Sequence, residues 1–259
     1  MCQRECVFFG FNSQMKKCRT HKERLTSEMS DEAGWRYYSV IPLDCKDLHA
    51  DGYTDTGVYN IYPHGTITSP VRVYCDMETR DGGWTAIQKR VNGSLSFDRT
   101  WTEYKNGFGS LEEDVWVGND IIHQLTKENN SFLYAAITLH NGTRLYELYD
   151  RFSVSDETEK YQLFLAGPAT GTLGDSMLNT GDSSYNLSGM YFSTPDRDND
   201  RWSDNCAAEI DIRGGWWFNR CHTAFLNGPW SPADWWWPWS LKVLNGTYVR
   251  GTLMLIKRH

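Results

Sequence analysis

An aspartate-rich run, DRDNDRWSDNC, constrains this chain more than any other part of its sequence. Asp196, Asp198, Asp200 and Asp204 lie close together in it, with no apolar periodicity between them. Such close carboxylates repel one another unless a cation lies among them. A hard cation that takes oxygen ligands fits this pattern, and Ca²⁺ is the ion we expect outside the cell. The alternative is a solvated acidic loop that holds no ion.

The run does not match an EF-hand, which requires Gly at the sixth position of its loop and Glu at the twelfth. Counted from Asp196, these positions hold Arg201 and Ala207. Counting from two residues later recovers the glutamate but not the glycine. The sequence therefore predicts a cation loop of another kind.

The segments that follow the aspartates carry a family resemblance. After DRDND come NCA, GGWW, RCH and LNG, in that order. Together they resemble the calcium loop and binding pocket of the fibrinogen C-terminal domain family, which includes ficolins and tachylectin-type lectins. The resemblance begins at the DC pair of residues 44 and 45 and implies that residues 44–259 form one such domain.

The resemblance implies an α+β fold with a central antiparallel sheet, few short helices and a loop-rich subdomain that binds calcium and ligand. The apolar pattern agrees with it. Residues 132–148 and 161–166 alternate apolar and polar side chains, as half-buried strands do. Residues 121–126 read as a short helix with its apolar face inward.

The first part of the chain has a different character. Residues 1–20 carry three cysteines around FFGFN and resemble the end of a PAN or apple module. That resemblance implies a Cys2–Cys18 disulfide and leaves Cys6 unpaired, whereas the alternative is a cysteine-bearing leader without fixed structure. Residues 21–43 are polar and charged, which predicts a linker or a short exposed helix.

The family resemblance assigns the metal ligands residue by residue. It implies carboxylate ligands from Asp198 and Asp200 and backbone carbonyl ligands from Trp202 and Asp204. Asp196 would orient the loop without binding the ion. Ca²⁺ is therefore the one cofactor we expect, as a structural brace.

Two disulfides, Cys45–Cys75 and Cys206–Cys221, are implied by the same resemblance. Closing the first loop is worth roughly 3 to 4 kcal/mol in the chain-entropy model. The second would pin the calcium loop against the binding pocket. Disulfides persist in oxidising compartments, which favours a secreted protein.

Five N-glycosylation sequons also indicate a secreted, extracellular glycoprotein. They begin at Asn92, Asn129, Asn141, Asn186 and Asn245. Met1 is followed at once by the CQREC segment, without a basic and apolar leader, so we expect the chain to be cut from a longer precursor.

Charge and hydropathy exclude two classes of partner. The formal net charge is −7, and the basic residues do not cluster into a stripe, which argues against nucleic acid and against an anionic membrane surface. No stretch approaches the roughly 20 apolar residues that a membrane helix needs, so we predict no membrane insertion.

Beside the calcium loop, the resemblance implies a pocket for an acetyl group. In the family, a cis peptide bond before the second cysteine turns two backbone N–H groups toward the acetyl carbonyl. Here that bond would join Arg220 to Cys221, and the N–H groups would be those of Cys221 and His222. A non-proline cis bond costs about 2.5 to 4 kcal/mol, so neighbouring structure must enforce it. An apolar pocket with a few placed donors suits an N-acetyl sugar.

The walls of this pocket depart from the lectin pattern. A lectin would read SYADG and then YSLK, whereas this chain has SPADW and then WSLK. Pro232 thus replaces one wall tyrosine and Trp239 replaces another, while Ala233 is kept. Trp235 and the tryptophans beside it either rebuild the wall or fill it. If exposed, they would stack on sugar rings or contact a protein; if buried, they would pack against the shortened loop.

We therefore predict a secreted lectin that binds acetylated glycans on microbial surfaces in innate immunity. The alternative is a protein-binding ligand or matrix module of the fibrinogen, tenascin or angiopoietin type, with a protein receptor as its partner. Pro232 and the shortened loop favour the alternative, whereas the RCH segment and Ala233 favour the lectin. Lectins of this family gain avidity by clustering, and the odd cysteine suits a homo-oligomer.

No enzyme is predicted, because no nucleophile and base stand out together. A glycosidase that used Asp198 and Asp200 would need one carboxyl with a raised pKa. A bound Ca²⁺ would lower both pKa values instead.

Overall fold

The computed structural model of this chain contains two antiparallel sheets and three short helices in the residues that it describes. Those residues are 8–12, 17–21, 35–39, 41–64, 69–128, 130–178, 181–209, 213–230, 239 and 249–259. The strands are β1 (Phe8–Asn12), β2 (Lys17–His21), β3 (Trp35–Ser39), β4 (Gly57–Ile61), β5 (Val71–Asp76), β6 (Trp84–Arg90), β7 (Phe108–Gly109), β8 (Val115–Trp116), β9 (Ser131–Leu139), β10 (Arg144–Val154), β11 (Leu163–Gly171) and β12 (Val249–Arg258). The helices are α1 (Cys45–Ala50), α2 (Trp101–Asn106) and α3 (Asn119–Thr126).

The nine-stranded sheet forms the centre of the fold. Its main path runs β11-β10-β9-β12-β6-β5-β4, and the short strands β7 and β8 attach beside β6. Every strand pair in it is antiparallel. The predicted α+β fold with a central antiparallel sheet and few short helices is confirmed. No described helix is long and apolar enough to cross a membrane.

The alternating segments of the sequence lie in this sheet. Residues 132–148 form most of β9 and the first half of β10, and residues 163–166 begin β11. The predicted helix at 121–126 is the main part of α3, which begins two residues earlier. Ile122 and Thr126 of α3 are buried, as an inward apolar face requires.

The small sheet shows that parts of the first 43 residues form strands. Strands β2, β1 and β3 lie side by side, and β1 pairs with both of its neighbours. The predicted linker over 21–43 is therefore wrong for Trp35–Ser39, which form β3. The aromatic residues of WRYYS favour a strand. The charged residues before it gave residues 21–43 as a whole the polar composition of a linker. Cys18 lies on β2, while Cys2 lies outside the described residues, so their disulfide stays a prediction.

The disulfide between Cys45 and Cys75 is present, as predicted, and ties α1 to β5. The two Cα atoms are 5.5 Å apart, and both side chains are fully buried. The Asp44 side chain accepts a hydrogen bond from the backbone N–H of Asp47 and so caps the start of α1. Arg258, near the end of β12, forms ion pairs with both of these aspartates. The beginning and the end of this domain are thereby fastened together.

A buried amide network joins the sheet to the loops that carry the candidate site. The Gln88 side chain, on β6, donates hydrogen bonds to the Leu226 carbonyl (2.9 Å), to Asn227 Oδ1 (3.2 Å) and to Thr252 Oγ1 (3.0 Å). Asn227 in turn donates to the Gly215 carbonyl at 3.0 Å. The LNG segment is therefore a structural joint between β6, β12 and the GGWW segment.

The GGWW segment itself is core. Trp216 and Trp217 are fully buried, and the Trp217 indole N–H donates to the Tyr161 carbonyl at 2.8 Å. A Cβ atom at Gly215 would lie 2.6 Å from the Tyr104 ring, so only glycine fits there. These residues support the site from beneath and do not face a ligand.

A Gln88→Leu substitution should destabilise the fold, because leucine cannot donate to the Leu226 carbonyl or to Asn227. We expect the free energy of unfolding to fall by about 1 to 3 kcal/mol, the usual cost of a buried polar group left unsatisfied. Urea unfolding would measure it. The same substitution at Gln124, which contacts Lys127 at the surface, should change the free energy by less than about 0.5 kcal/mol. Equal losses at both positions would contradict this role of the buried amide.

Candidate functional site

The aspartate-rich run forms a loop that is anchored at both ends. Asp196 Oδ1 accepts hydrogen bonds from the backbone N–H of Trp101 (2.9 Å), at the start of α2, and from Thr194 Oγ1 (2.7 Å). At the other end, the Asn205 side chain donates to the carbonyls of Thr194 and Pro195. Asp196, although exposed, thus anchors the loop to the start of α2. Its role beside a calcium ion stays a prediction.

Asp200 is the central carboxylate of the loop. Its Oδ1 accepts a hydrogen bond from the backbone N–H of Trp202 (2.7 Å), and its Oδ2 accepts one from that of Cys206 (2.9 Å). Asp198 Oδ1 accepts from the backbone N–H of Asp200 at 3.1 Å. Burial raises the pKa of Asp200 to about 6, and the charge of Asp198 adds to this effect. The carboxylate is therefore destabilised as it stands, and a nearby cation would reverse that.

The other predicted ligands are backbone carbonyls. Trp202 and Asp204 are both exposed, and their carbonyls accept no hydrogen bond from any described residue. No three carboxylate, imidazole or thiolate side chains converge on a metal position within the described part of the chain. The predicted ligand set does not need three, because it combines two carboxylates with two carbonyls. The donors are hard oxygens, which is the type of ligand that Ca²⁺ prefers.

The buried residue Asn219 holds three segments together at this site, and we call its contacts the Asn219 clamp. Its Nδ2 donates to the carbonyls of Ser183 (3.1 Å) and Asn186 (2.8 Å). Its backbone carbonyl accepts from the N–H of Arg201 (3.0 Å), in the aspartate loop. The sequence analysis missed this residue. The available signal was an asparagine between a buried aromatic run and the RC pair, since asparagine can satisfy two backbone groups at once.

The second predicted disulfide, Cys206–Cys221, is present. Its Cα atoms are 5.5 Å apart, and Cys206 is fully buried in the short turn that ends the aspartate loop. The bond therefore fastens the aspartate loop to the RCH segment, as the sequence predicted.

The predicted cis bond before Cys221 is wrong, because no peptide bond of the described residues is cis. The trans chain already makes good hydrogen bonds here. The Arg220 N–H donates to the Ser184 carbonyl (3.1 Å), and the Asn219 N–H donates to the Cys221 carbonyl (2.9 Å). A cis bond would cost about 2.5 to 4 kcal/mol relative to trans, and none of these hydrogen bonds requires it.

His222 contributes shape and no charge. Its ring lies beside those of Phe218 and Phe225, with centroids 5.8 and 5.1 Å away. Burial lowers the pKa of His222 to about 4, so the ring is neutral at physiological pH. The backbone N–H groups of Cys221 and His222 donate no hydrogen bond to a described residue.

Trp239 does not form a wall of an open pocket. It is fully buried, and its indole N–H donates to the Gly174 carbonyl at 2.8 Å. Its predicted ligand-binding role is therefore wrong, because a buried ring with its polar atom paired cannot stack on a ligand. Pro232, Ala233 and Trp235 lie outside the described residues.

Trp202 and Arg220 form an exposed pair above the Asn219 clamp. The Trp202 side chain is one of three large apolar side chains that the described residues expose, at 43%. The Arg220 guanidinium carbon lies 5.6 Å from the Trp202 ring centre. Arg201 and Asp182 are exposed beside them, and the N–H of Ser184 and the Arg220 charge lower the pKa of Asp182. We call these four residues the Trp202–Arg220 surface.

Comparison with known proteins identifies this arrangement. Residues 41–240 match the family model described as the C-terminal globular domain of fibrinogen beta and gamma chains. Human fibroleukin is 44% identical over 190 residues, which cover 73% of this chain and 42% of fibroleukin. Rat angiopoietin-1 is 40% identical over 203 residues, covering 78% of this chain and 39% of that protein. Human microfibril-associated glycoprotein 4 is 44% identical over 198 residues, covering 74% of each.

Solved structures agree with this match. The fibrinogen-like globe domain of human ANGPTL2 has a TM-score of 0.75 and 32% identity, covering 84% of this chain and 99% of that domain. Lamprey fibrin D-dimer, complexed with the peptide ligand Gly-His-Arg-Pro-amide, has a TM-score of 0.72 and 32% identity, covering 83% of this chain and 73% of the other. The chain spans about two fifths of the length of fibroleukin and of angiopoietin-1. The chain therefore belongs to the fibrinogen C-terminal domain family.

Proposed function

We propose that this chain is a secreted, extracellular module that binds a protein or peptide at the Trp202–Arg220 surface. The observation that carries the proposal is an exposed tryptophan ring beneath an arginine guanidinium. Tryptophan and arginine are the residue types most enriched at the energetic centres of protein interfaces. The family consists of non-enzymatic binding modules, and the chain is not an enzyme.

The comparisons favour a protein partner over a sugar. The lamprey fibrin structure, which shares this fold, carries a peptide ligand. The predicted acetyl pocket lacks two of its expected features, because the bond before Cys221 is trans and Trp239 is buried. The protein-binding alternative therefore replaces the lectin as our preferred function.

The surface carries charges of both signs, and its guanidinium groups are the ones with which an acidic group on a partner can pair. Arg201 and Arg220 are exposed, and so are the carboxylates of Asp182 and Asp204. A cation held by Asp198 and Asp200 would offset the remaining negative charge of the loop. An acidic group on the partner could then pair with the guanidinium groups, while an apolar group covers the Trp202 ring.

We further propose that the loop holds Ca²⁺ through the carboxylates of Asp198 and Asp200 and the carbonyls of Trp202 and Asp204. When bound, the ion would supply positive charge beside the partly buried Asp200 carboxylate and tie the loop together. Asp200 then fixes the backbone of Trp202, whose N–H it already accepts at 2.7 Å. Through this bond, the metal loop sets the position of the tryptophan at the centre of the Trp202–Arg220 surface.

Truncating Trp202 should remove the binding surface without disturbing the metal loop, because alanine keeps the backbone carbonyl. We would select peptides from a random display library on the wild-type chain with Ca²⁺ and measure their affinities by calorimetry. We expect acidic and aromatic peptides that bind Trp202→Ala at least about 30-fold more weakly, as a 2 kcal/mol hot spot requires. Phe164→Ala is the matched control, since Phe164 is 45% exposed on β11. Equal binding to Trp202→Ala would overturn the assignment.

Calcium should stabilise the wild-type fold, and this stabilisation should be lost in Asp200→Asn. At about 100 times its dissociation constant, a ligand raises the free energy of unfolding by about 2.7 kcal/mol. Urea unfolding with Ca²⁺ and with a chelator would measure the difference. Asp204→Asn is the matched control, because only the backbone carbonyl of Asp204 is assigned to the ion, and it should keep the stabilisation. The same calcium effect in Asp200→Asn would refute the ligand set.

Recognition of acetylated sugars is the second candidate, and one observation favours it. The N–H groups of Cys221 and His222, which the lectin pocket would use, donate to no described residue. Calorimetric titration with N-acetylglucosamine and with glucose, each with Ca²⁺ and with a chelator, separates the two functions. We expect no heat from either sugar. Binding of the acetylated sugar alone, lost on chelation, would restore the lectin as the preferred function over protein binding at the Trp202–Arg220 surface.

A further inference from the structure

We propose that Asn186 carries an N-linked glycan that borders the Trp202–Arg220 surface and restricts the access of bulky partners to it. This inference rests on the proposed function, because it concerns the regulation of the same surface. It singles out one sequon among those that the chain contains. The others that the structure describes lie in turns that the Asn219 clamp does not contact.

The local geometry of the Asn186 sequon suits glycan attachment. Asn186 Oδ1 accepts a hydrogen bond from the backbone N–H of Ser188 at 2.9 Å. The sequons at Asn92 and Asn141 form the same turn, each with a 2.9 Å bond from the residue two positions later. In all three, the side-chain Nδ2, to which a glycan is joined, donates no hydrogen bond to a described residue. The turn fixes the oxygen and leaves the nitrogen available.

Asn186 is clamped directly onto the segment that carries Arg220. Its carbonyl accepts from Asn219 Nδ2 at 2.8 Å, and the Ser184 carbonyl accepts from the Arg220 N–H at 3.1 Å. The guanidinium carbon of Arg220 lies 5.6 Å from the Trp202 ring. The sequon's anchor, Asn219, is therefore the chain neighbour of Arg220, and its carbonyl accepts from the N–H of the residue before Trp202.

Contacts with the core and with β11 also hold the sequon in place. Leu187 is fully buried, and the Ser188 hydroxyl donates to the Leu165 carbonyl and accepts from the Leu165 N–H, at 2.8 and 3.0 Å. The Asn186 residue itself is only partly buried. A bulky, hydrated glycan at this position thus starts from a fixed base at the edge of the surface.

A fixed glycan of this kind discriminates by size. A short peptide can reach the Trp202 ring beneath the sugars, whereas a folded protein must displace them or approach from the opposite side. The free-energy cost of binding a folded protein therefore depends on whether Asn186 carries a glycan. Occupancy of this one site would set how strongly large partners bind, with no change in the residues that contact them.

The first measurement is the occupancy of Asn186 in chain secreted from eukaryotic cells, by mass spectrometry of its glycopeptide. The second uses a protein-sized probe, namely a single-domain antibody selected on enzymatically deglycosylated chain and shown to require Trp202. We expect this antibody to bind Asn186→Gln at least about tenfold more tightly than the glycosylated wild type. Native enzymatic deglycosylation of the wild type should give the same gain, which guards against a folding effect of the substitution.

Asn141→Gln is the matched control, because it removes a glycan with the same local turn between β9 and β10. It should leave the affinity of the antibody unchanged. An unoccupied Asn186, or equal antibody affinities for the wild type and Asn186→Gln, would overturn the inference. These outcomes do not depend on the natural partner, so failure of the proposed function would be seen separately, as peptide binding that Trp202→Ala does not weaken.

Discussion

The hydrogen bonds of the buried residue Asn219 are the interactions on which the candidate site depends. The site consists of loops, and loops alone cannot hold exposed side chains in fixed positions. Asn219 pairs with carbonyls of one loop through its amide and with the aspartate loop through its own carbonyl. Each of these groups would cost about 1 to 3 kcal/mol if buried without a partner. The three segments therefore stay together or separate together.

A second amide joint connects this loop assembly to the rigid part of the fold. Gln88 lies on β6, whose residues are all buried, and bonds to Leu226 and Asn227 in the loops. The sheet thus determines where the loops sit, and the loops determine where Trp202 and Arg220 are exposed. This division of labour is typical of binding modules, in which a stable scaffold presents variable loops.

Local pattern predicted much of this architecture. The alternating strands, helix α3, the two disulfides and the aspartate loop could all be read from residues close in sequence or from a family motif. The failures have a common physical cause, which is dependence on distant partners. Trp239 is buried because its indole meets Gly174, 65 positions away. The clamp by Asn219 likewise depends on the loop around Ser184, which no local periodicity reveals. The trans bond before Cys221 is the default geometry, and the family resemblance pointed away from it.

The same residues explain why a surface fits this chain better than a pocket. The lectin prediction required aromatic rings that line a concavity, yet Trp239, one of the two predicted wall tryptophans, is fully buried. Trp216 and Trp217 are also fully buried beneath the loops, whereas Trp202, within the aspartate loop, is exposed. An exposed ring under a guanidinium presents an apolar face with a charged rim, the combination that the cores and rims of protein interfaces share. Of the tryptophans that suggested sugar stacking in the sequence, Trp239 packs inside the fold, where its indole N–H donates to the Gly174 carbonyl.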